Sequence, residues 1–190
     1  MTLSQAALGP MTLPKQAAVV LLGSLMVALA AQVSVPIGPV PISLQTLAIL
    51  LIAFAVGPRL AALTLVAYLA EGMAGLPVFA GWKTAALAFP GATTGFLFGF
   101  VAFAAIAGLG AGRGVLGMIA AGLAASVALY AVGLAWPLGV AALFGLDVWM
   151  AGEGVGAVLG GYMTPYLAGD ALKLGIAALL IGGAVRATAR

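Results

Sequence analysis

Long apolar runs, broken by short stretches of Gly and Pro and by isolated charges, make up the chain from Lys15 onward. They predict six helices, at about 17–34, 42–56, 59–72, 93–109, 114–136 and 166–185. Runs this long, without strand-like alternation, read as helices that are apolar all round. A further short helix is expected near 152–163, inside the Gly-rich stretch 137–165, and 1–14 and 186–190 read as tails. Crossing bilayer hydrocarbon takes about 20 residues. Two segments fall short: the second offers 15 residues, and the third meets Glu71 after 12. Both deficits lie beside the Gly- and Pro-rich loops 35–41 and 73–92, which overlap VPIGPVPIS (35–43) and EGMAGLPVFAGWK (71–83). Irregular backbone at membrane depth survives only where protein buries it or where it lines a cavity. The pattern therefore predicts a cavity open to the outer half of a membrane and roofed by these two loops.

Composition turns that pattern into a solvent assignment. Of 190 residues, 65% are hydrophobic and 6% are charged, against about 25% charged in a soluble domain. The mean hydropathy is +1.28. Such a chain cannot cover itself with polar groups, so its solvent is lipid, and the fold class is an all-α integral membrane protein of six spans. The 28 Gly residues suit helices packed backbone to backbone. With the N-terminus and C-terminus cytoplasmic, Lys15, Arg59, Arg113, Arg186 and Arg190 fall inside, while Lys83 falls outside with Glu71, Asp147 and Glu153. That is the positive-inside bias. Lys15, the apolar 17–27 and ALAA at 28–31 resemble a signal peptide; cleavage there would break the charge bias, so the segment is read as the first span.

Absences narrow the function. There is no Cys and no His, which excludes thiol catalysis, disulfides, His-type metal sites and Ser-His hydrolysis. Seven scattered basic residues and a net charge of +3 make no nucleic-acid footprint. GWKT at 81–84 lacks the spacing of a phosphate loop. There is no arginine series, no channel filter motif and no carboxylate chain across several helices. A solute-binding role without catalysis remains, and nothing shows how energy would be supplied.

YLAGDALKLGIAALL, near the end of the chain, carries two full charges in an apolar run. Asp170 and Lys173 are three apart and share one helical face, about one and two turns in from the outer end. An intramembrane ionisable residue marks a site by default, because a charge there costs at least ~2.5–3.5 kcal/mol. Lys donates and Asp accepts, which suits a solute with adjacent N–H and C=O groups; the alternative is an ion pair that merely satisfies itself. Phe79, Trp82, Phe89 and Tyr166 add apolar walls, with Lys83 and Gln45 nearby. Trp149 and Tyr130 read as interface anchors. Gly95–Gly99, Gly108–Gly112, Gly152–Gly156, Gly156–Gly160 and Ser24–Ala28 have the small-xxx-small spacing that admits close helix contact.

VSVPIGPVPISLQTLAILLIAFAVGPRLAALTLVAYLAEGMAGLPVFAG, PGATTGFLFGF and TPYLAGDALKLGIAALL occur in that order, and together they resemble the BioY family. Members of that family are biotin-specific substrate-binding (S) components of energy-coupling-factor (ECF) transporters. The resemblance implies a multi-pass protein of the bacterial cytoplasmic membrane that captures biotin from outside. It implies partnership with a coupling transmembrane protein and two ATPase subunits; some members lack these partners, so stand-alone or homo-oligomeric uptake stays open. By position, Asp170 and Lys173 match the grip on the ureido head, and Pro36 to Gln45 match a lid. Phe79 and Gly81 match the third-to-fourth loop, and Thr94 and Gly95 match the Gly-rich start of the fourth helix. Ser24 and Ala28 are the nearest fit to small residues that face the coupling protein. The family's usual P-T-G-G is Ala92-Thr93-Thr94-Gly95 here, one Gly fewer at that start. Two other readings share the residues: a carrier for thiamine or riboflavin, and an ion-coupled secondary transporter with Asp170 as its proton site.

Overall fold

A computed structural model describes residues 2–37 and 40–188. Each of the six expected helices is present. They are α2 (Leu13–Gln32), α3 (Gln45–Val56), α4 (Pro58–Met73), α6 (Thr94–Gly108), α7 (Gly114–Ala135) and α10 (Leu167–Thr188). Among the described residues, three helical stretches are long and apolar enough to cross a membrane: Leu13–Gln32, Gly114–Leu143 and Leu167–Thr188. Gln45–Val56 and Thr94–Gly108 are apolar but shorter.

The differences from expectation have local causes. The tail expected at 1–14 contains α1 (Leu3–Leu8), started by a capping box between Thr2 and Gln5. The second long helix starts at Gln45, because Ile42–Ser43 (β2) pairs antiparallel with Ser34–Val35 (β1). These two strands make a short hairpin; Gly38 and Pro39, between them in sequence, lie outside the described residues, as does Arg190. The third long helix, expected at 59–72, is Pro58–Met73. Its Glu71 is therefore a helical residue facing α2, not a loop charge: the Ser24 hydroxyl donates to Glu71 Oε1 at 2.6 Å. A carboxylate at this depth is tolerated because the neighbouring helix supplies a partner. Past Trp136, α7 continues through a π-helical turn, Trp136–Val140, into α8 (Ala141–Leu143), bent at Gly139 (φ 154°). The helix expected near 152–163 is α9 (Val155–Tyr162).

Glycine sets the closest helix approach. A Cβ at Gly95 would sit 2.6 Å from the Gly133 carbonyl oxygen, and one at Gly99 would sit 3.3 Å from that of Leu129. This lets α6 lie on α7, as small-xxx-small spacing allows. Gly108 approaches Pro58 at the start of α4 in the same way. Gly156 and Gly160 of α9 face open space, so their spacing mediates no contact within the chain.

The main core cluster includes Phe54, Phe103, Tyr68, Phe79, Phe96 and Tyr162, and a smaller one gathers Trp136, Ala141 and Val148. Large apolar side chains also point outward, among them Leu21, Leu22 and Leu25 of α2, Leu116, Leu123 and Val127 of α7, and Leu172, Leu179 and Leu180 of α10. A surface this apolar fits a hydrocarbon solvent. Loop 73–92 folds back over the hairpin end of the bundle and contains α5 (Ala85–Ala88).

Candidate functional site

A cavity of about 150 Å³ opens at the hairpin end, between α3, α6, α7 and α10. The hairpin covers it through Val40 to Ser43, and the folded-back loop covers it through Phe79, Ala80, Lys83 and Leu87. Both covers are pinned. The Tyr166 hydroxyl donates to the Val40 carbonyl. Gln45 Nε2 donates to the Tyr68 hydroxyl at 3.0 Å, and Tyr68 in turn donates to the Val78 carbonyl at 3.1 Å. Gln32 holds the loop to α2, donating to the Phe79 carbonyl at 3.2 Å and accepting from the Trp82 N–H at 3.0 Å. A tight turn at 79–83 is closed by mutual backbone hydrogen bonds between Phe79 and Lys83. It places Gly81 and Trp82 at φ 72° and 58°.

The polar floor is a network of four side chains from three helices. Asp170 and Lys173 project from the first two turns of α10, 3.3 Å apart. Thr46, in the first turn of α3, donates to Asp170 Oδ1 at 3.2 Å and accepts from Lys173 Nζ at 3.1 Å. Tyr130 of α7 donates to Asp170 Oδ2 at 2.7 Å. The walls are aromatic: Phe79, Phe96, Phe100, Tyr162 and Tyr166. Phe79 is 1% exposed and meets Tyr68 edge to face, ring centroids 5.2 Å apart. Phe96 stacks on Tyr162 at 6.4 Å. Burial pushes the Tyr162 phenol up to about 12 and raises that of Tyr166 as well, so both remain neutral. Lys83 stands at the mouth. With two Lys and one Asp, the charged lining sums to +1 among the described residues, a balance that suits a mostly apolar solute carrying one negative charge.

Of the residues singled out from the sequence, Asp170, Lys173, Gln45, Phe79, Lys83 and Tyr166 line this cavity. Trp82, Thr94 and Gly95 do not. Trp82 is 63% exposed on the far side of its turn. Thr94 is buried and donates to the carbonyls of Phe89 and Gly91 at 2.6 and 3.0 Å, so it fastens the end of the loop. Gly95 is spent on the approach to α7. Phe89 packs behind the wall, between Phe79 and Phe98. Ser24 and Ala28, expected to face a partner, are buried against the bundle at 1% and 8% exposure. Ser24 turns inward because Glu71 is there to receive its hydroxyl. Tyr130, read as an interface anchor, is 8% exposed and bonded to Asp170.

Thr46, Tyr130, Tyr162, Phe96 and Phe100 are among the lining residues that the sequence did not assign to the site. A signal existed for two of them. Tyr130 lies within the apolar run of α7, where a hydroxyl needs a protein partner. Thr46 stands beside Gln45 in the first turn of a helix that is otherwise apolar.

The sequence profile of the BioY family matches residues 4–190. The chain is 36% identical over 111 residues to a biotin transporter BioY of Thermotoga maritima, covering 57% of this chain and 66% of that protein. It is 37% identical over 99 residues to a probable biotin transporter BioY of Pyrococcus horikoshii, covering 52% and 61%. The matched stretch is thus less than two thirds of either relative's length. The fold superposes on a crystal structure of the S-component for biotin from an ECF-type ABC transporter, with a TM-score of 0.68 and 19% identity. That match covers 93% of this chain and 95% of the other, and at this identity it speaks for the fold alone.

Proposed function

Because the chain belongs to the BioY family, we propose that it captures biotin at the hairpin end of the bundle, as the substrate-binding component of an ECF-type transporter. On this reading the hairpin end faces outward. All six long helices span the bacterial cytoplasmic membrane, both termini are cytoplasmic, and the energy comes from a coupling protein and two ATPase subunits. The role is binding and uptake, without catalysis.

One observation carries the substrate: Asp170 and Lys173 stand side by side on the floor of an aromatic cavity whose charged lining sums to +1. The cyclic urea of biotin has two N–H donors flanking one C=O acceptor. The Asp170 carboxylate takes an N–H and the Lys173 ammonium meets the C=O. Phe79, Phe96 and Tyr162 enclose the apolar thiophane ring and side chain. Lys83 at the mouth answers the carboxylate end. A solute without the urea leaves a desolvated Asp–Lys pair half-satisfied, which is a strong basis for rejection.

Equilibrium binding of biotin to the purified chain in detergent tests this directly. Biotin is expected to bind tightly. Desthiobiotin, which keeps the ureido group, should compete far better than an analogue from which that group has been removed. Failure to bind biotin, or equal competition by the two analogues, overturns the reading; tighter binding of thiamine or riboflavin would move the substrate within the same class of carriers.

A further inference from the structure

The Thr46 hydroxyl occupies the place between the two charges in a specific way. It donates to Asp170 Oδ1 at 3.2 Å and accepts from Lys173 Nζ at 3.1 Å. With the direct Lys173–Asp170 contact at 3.3 Å, this closes a three-membered ring of hydrogen bonds. One hydroxyl thus makes the same pair of bonds that an N–H/C=O edge would make: a donor to the carboxylate and an acceptor from the ammonium. Tyr130 holds the other carboxylate oxygen at 2.7 Å. Asp170 therefore already accepts three hydrogen bonds, and Lys173 already makes two. Both charged side chains are largely buried, at 18% and 13% exposure, and an unsatisfied charge there would be costly.

We propose that Thr46 is a built-in stand-in for the solute. Its hydroxyl satisfies Asp170 and Lys173 while the cavity is empty and gives way when a cyclic urea arrives. The proposal rests on the biotin reading above and adds a competition inside the site. Thr46 belongs to the start of α3, directly after strand β2 of the hairpin. The solute therefore exchanges with a group on the element that carries the lid. A residue that stabilises only the empty state lowers the apparent affinity for the ligand that replaces it.

The sign of the effect separates this role from the obvious one. If Thr46 merely oriented the charges or touched the solute, deleting its hydroxyl would weaken binding. As a stand-in, its deletion tightens binding. Thr46→Val should raise biotin affinity by about three- to tenfold, the scale of the hydrogen bonds removed from the empty state. Thr46→Ser, which restores the hydroxyl, should return the affinity to within about twofold of the parent chain. An analogue lacking the ureido group should bind the parent chain and both variants equally, since it does not displace the hydroxyl. Unchanged or weaker biotin binding by Thr46→Val overturns the proposal. So does a Thr46→Ser protein that behaves like the Val variant. Should Thr46→Val not fold, Thr46→Ala removes the hydroxyl without added bulk and is judged by the same outcomes. If the parent chain binds no biotin at all, the functional reading itself has failed.

Discussion

Two carboxylates lie within the helical bundle, and they differ in what surrounds them. Asp170 meets donors from three helices and lies against a cavity. Glu71 meets the Ser24 hydroxyl at 2.6 Å, in the packed seam between α2 and α4, and lines no cavity described here. Charge in an apolar helix is therefore a sign of a partner before it is a sign of a site. Glu71 takes its side-chain hydrogen bond from one hydroxyl of a neighbouring helix. The Asp170 pair combines two opposite charges, two hydroxyl partners and empty space in front of them, so a solute can enter the network.

The sharpest way to break this contrast is to remove one charge of the cavity pair. Asp170→Asn and Lys173→Met should each weaken biotin binding by more than about tenfold while expression and folding persist. Each change leaves the other charge in the cavity without its counter-ion. Titration calorimetry on the purified variants measures it, and unchanged affinity in both would remove the site from α10. A smaller loss is expected for Tyr130→Phe. The phenol holds Asp170 Oδ2 at 2.7 Å, and its removal frees the carboxylate to rotate. About three- to tenfold weaker binding follows from losing one hydrogen bond to a charged acceptor. Its opposite sign to Thr46→Val is itself a test, because Tyr130 orients the carboxylate from behind whereas Thr46 stands in the ligand's place. Smaller again is Lys83→Met. Lys83 stands exposed at the mouth, where solvent screens its charge. Roughly two- to fourfold weaker binding is expected for biotin and none for its uncharged amide; an equal loss for both would detach Lys83 from the carboxylate.

Much of this arrangement was legible along the chain, and particular residues show why the remainder was not. The six long apolar runs reveal their helices because a lipid solvent leaves the backbone few alternatives. Asp170 and Lys173 stand out because a charge in such a run is expensive. The short second and third segments lie beside the two covers, and the third carries Glu71 in its last turn. Ser24 shows the limit of spacing arguments. Ser24–Ala28 satisfies a small-xxx-small pattern, yet a pattern does not say which side of the helix is occupied. That depended on Glu71, 47 positions away in sequence. Thr94 and Gly95 were assigned to the ligand by position, and the structure gives them to loop fastening and helix contact. The partners of Thr46 and Tyr130 were hidden for the same reason as that of Ser24. Each acts through a residue more than 35 positions away, and such pairings emerge only once α3, α7 and α10 are packed together.

The smallest effect on binding should come from the second carboxylate, and there a null result is informative. Ser24→Ala removes the only side-chain donor shown for Glu71 among the described residues. Interhelical hydrogen bonds inside membranes are worth on average about 0.6 kcal/mol, so a modest loss of thermal stability in detergent is expected. Glu71→Gln, whose amide oxygen can still accept from Ser24, should be milder still. Biotin affinity should stay within about twofold in both, because neither side chain lines the cavity. If Ser24→Ala or Glu71→Gln instead shifted affinity tenfold, the α2–α4 seam would have to move when the solute binds. The two carboxylates would then be parts of one coupled device rather than one site and one fastening.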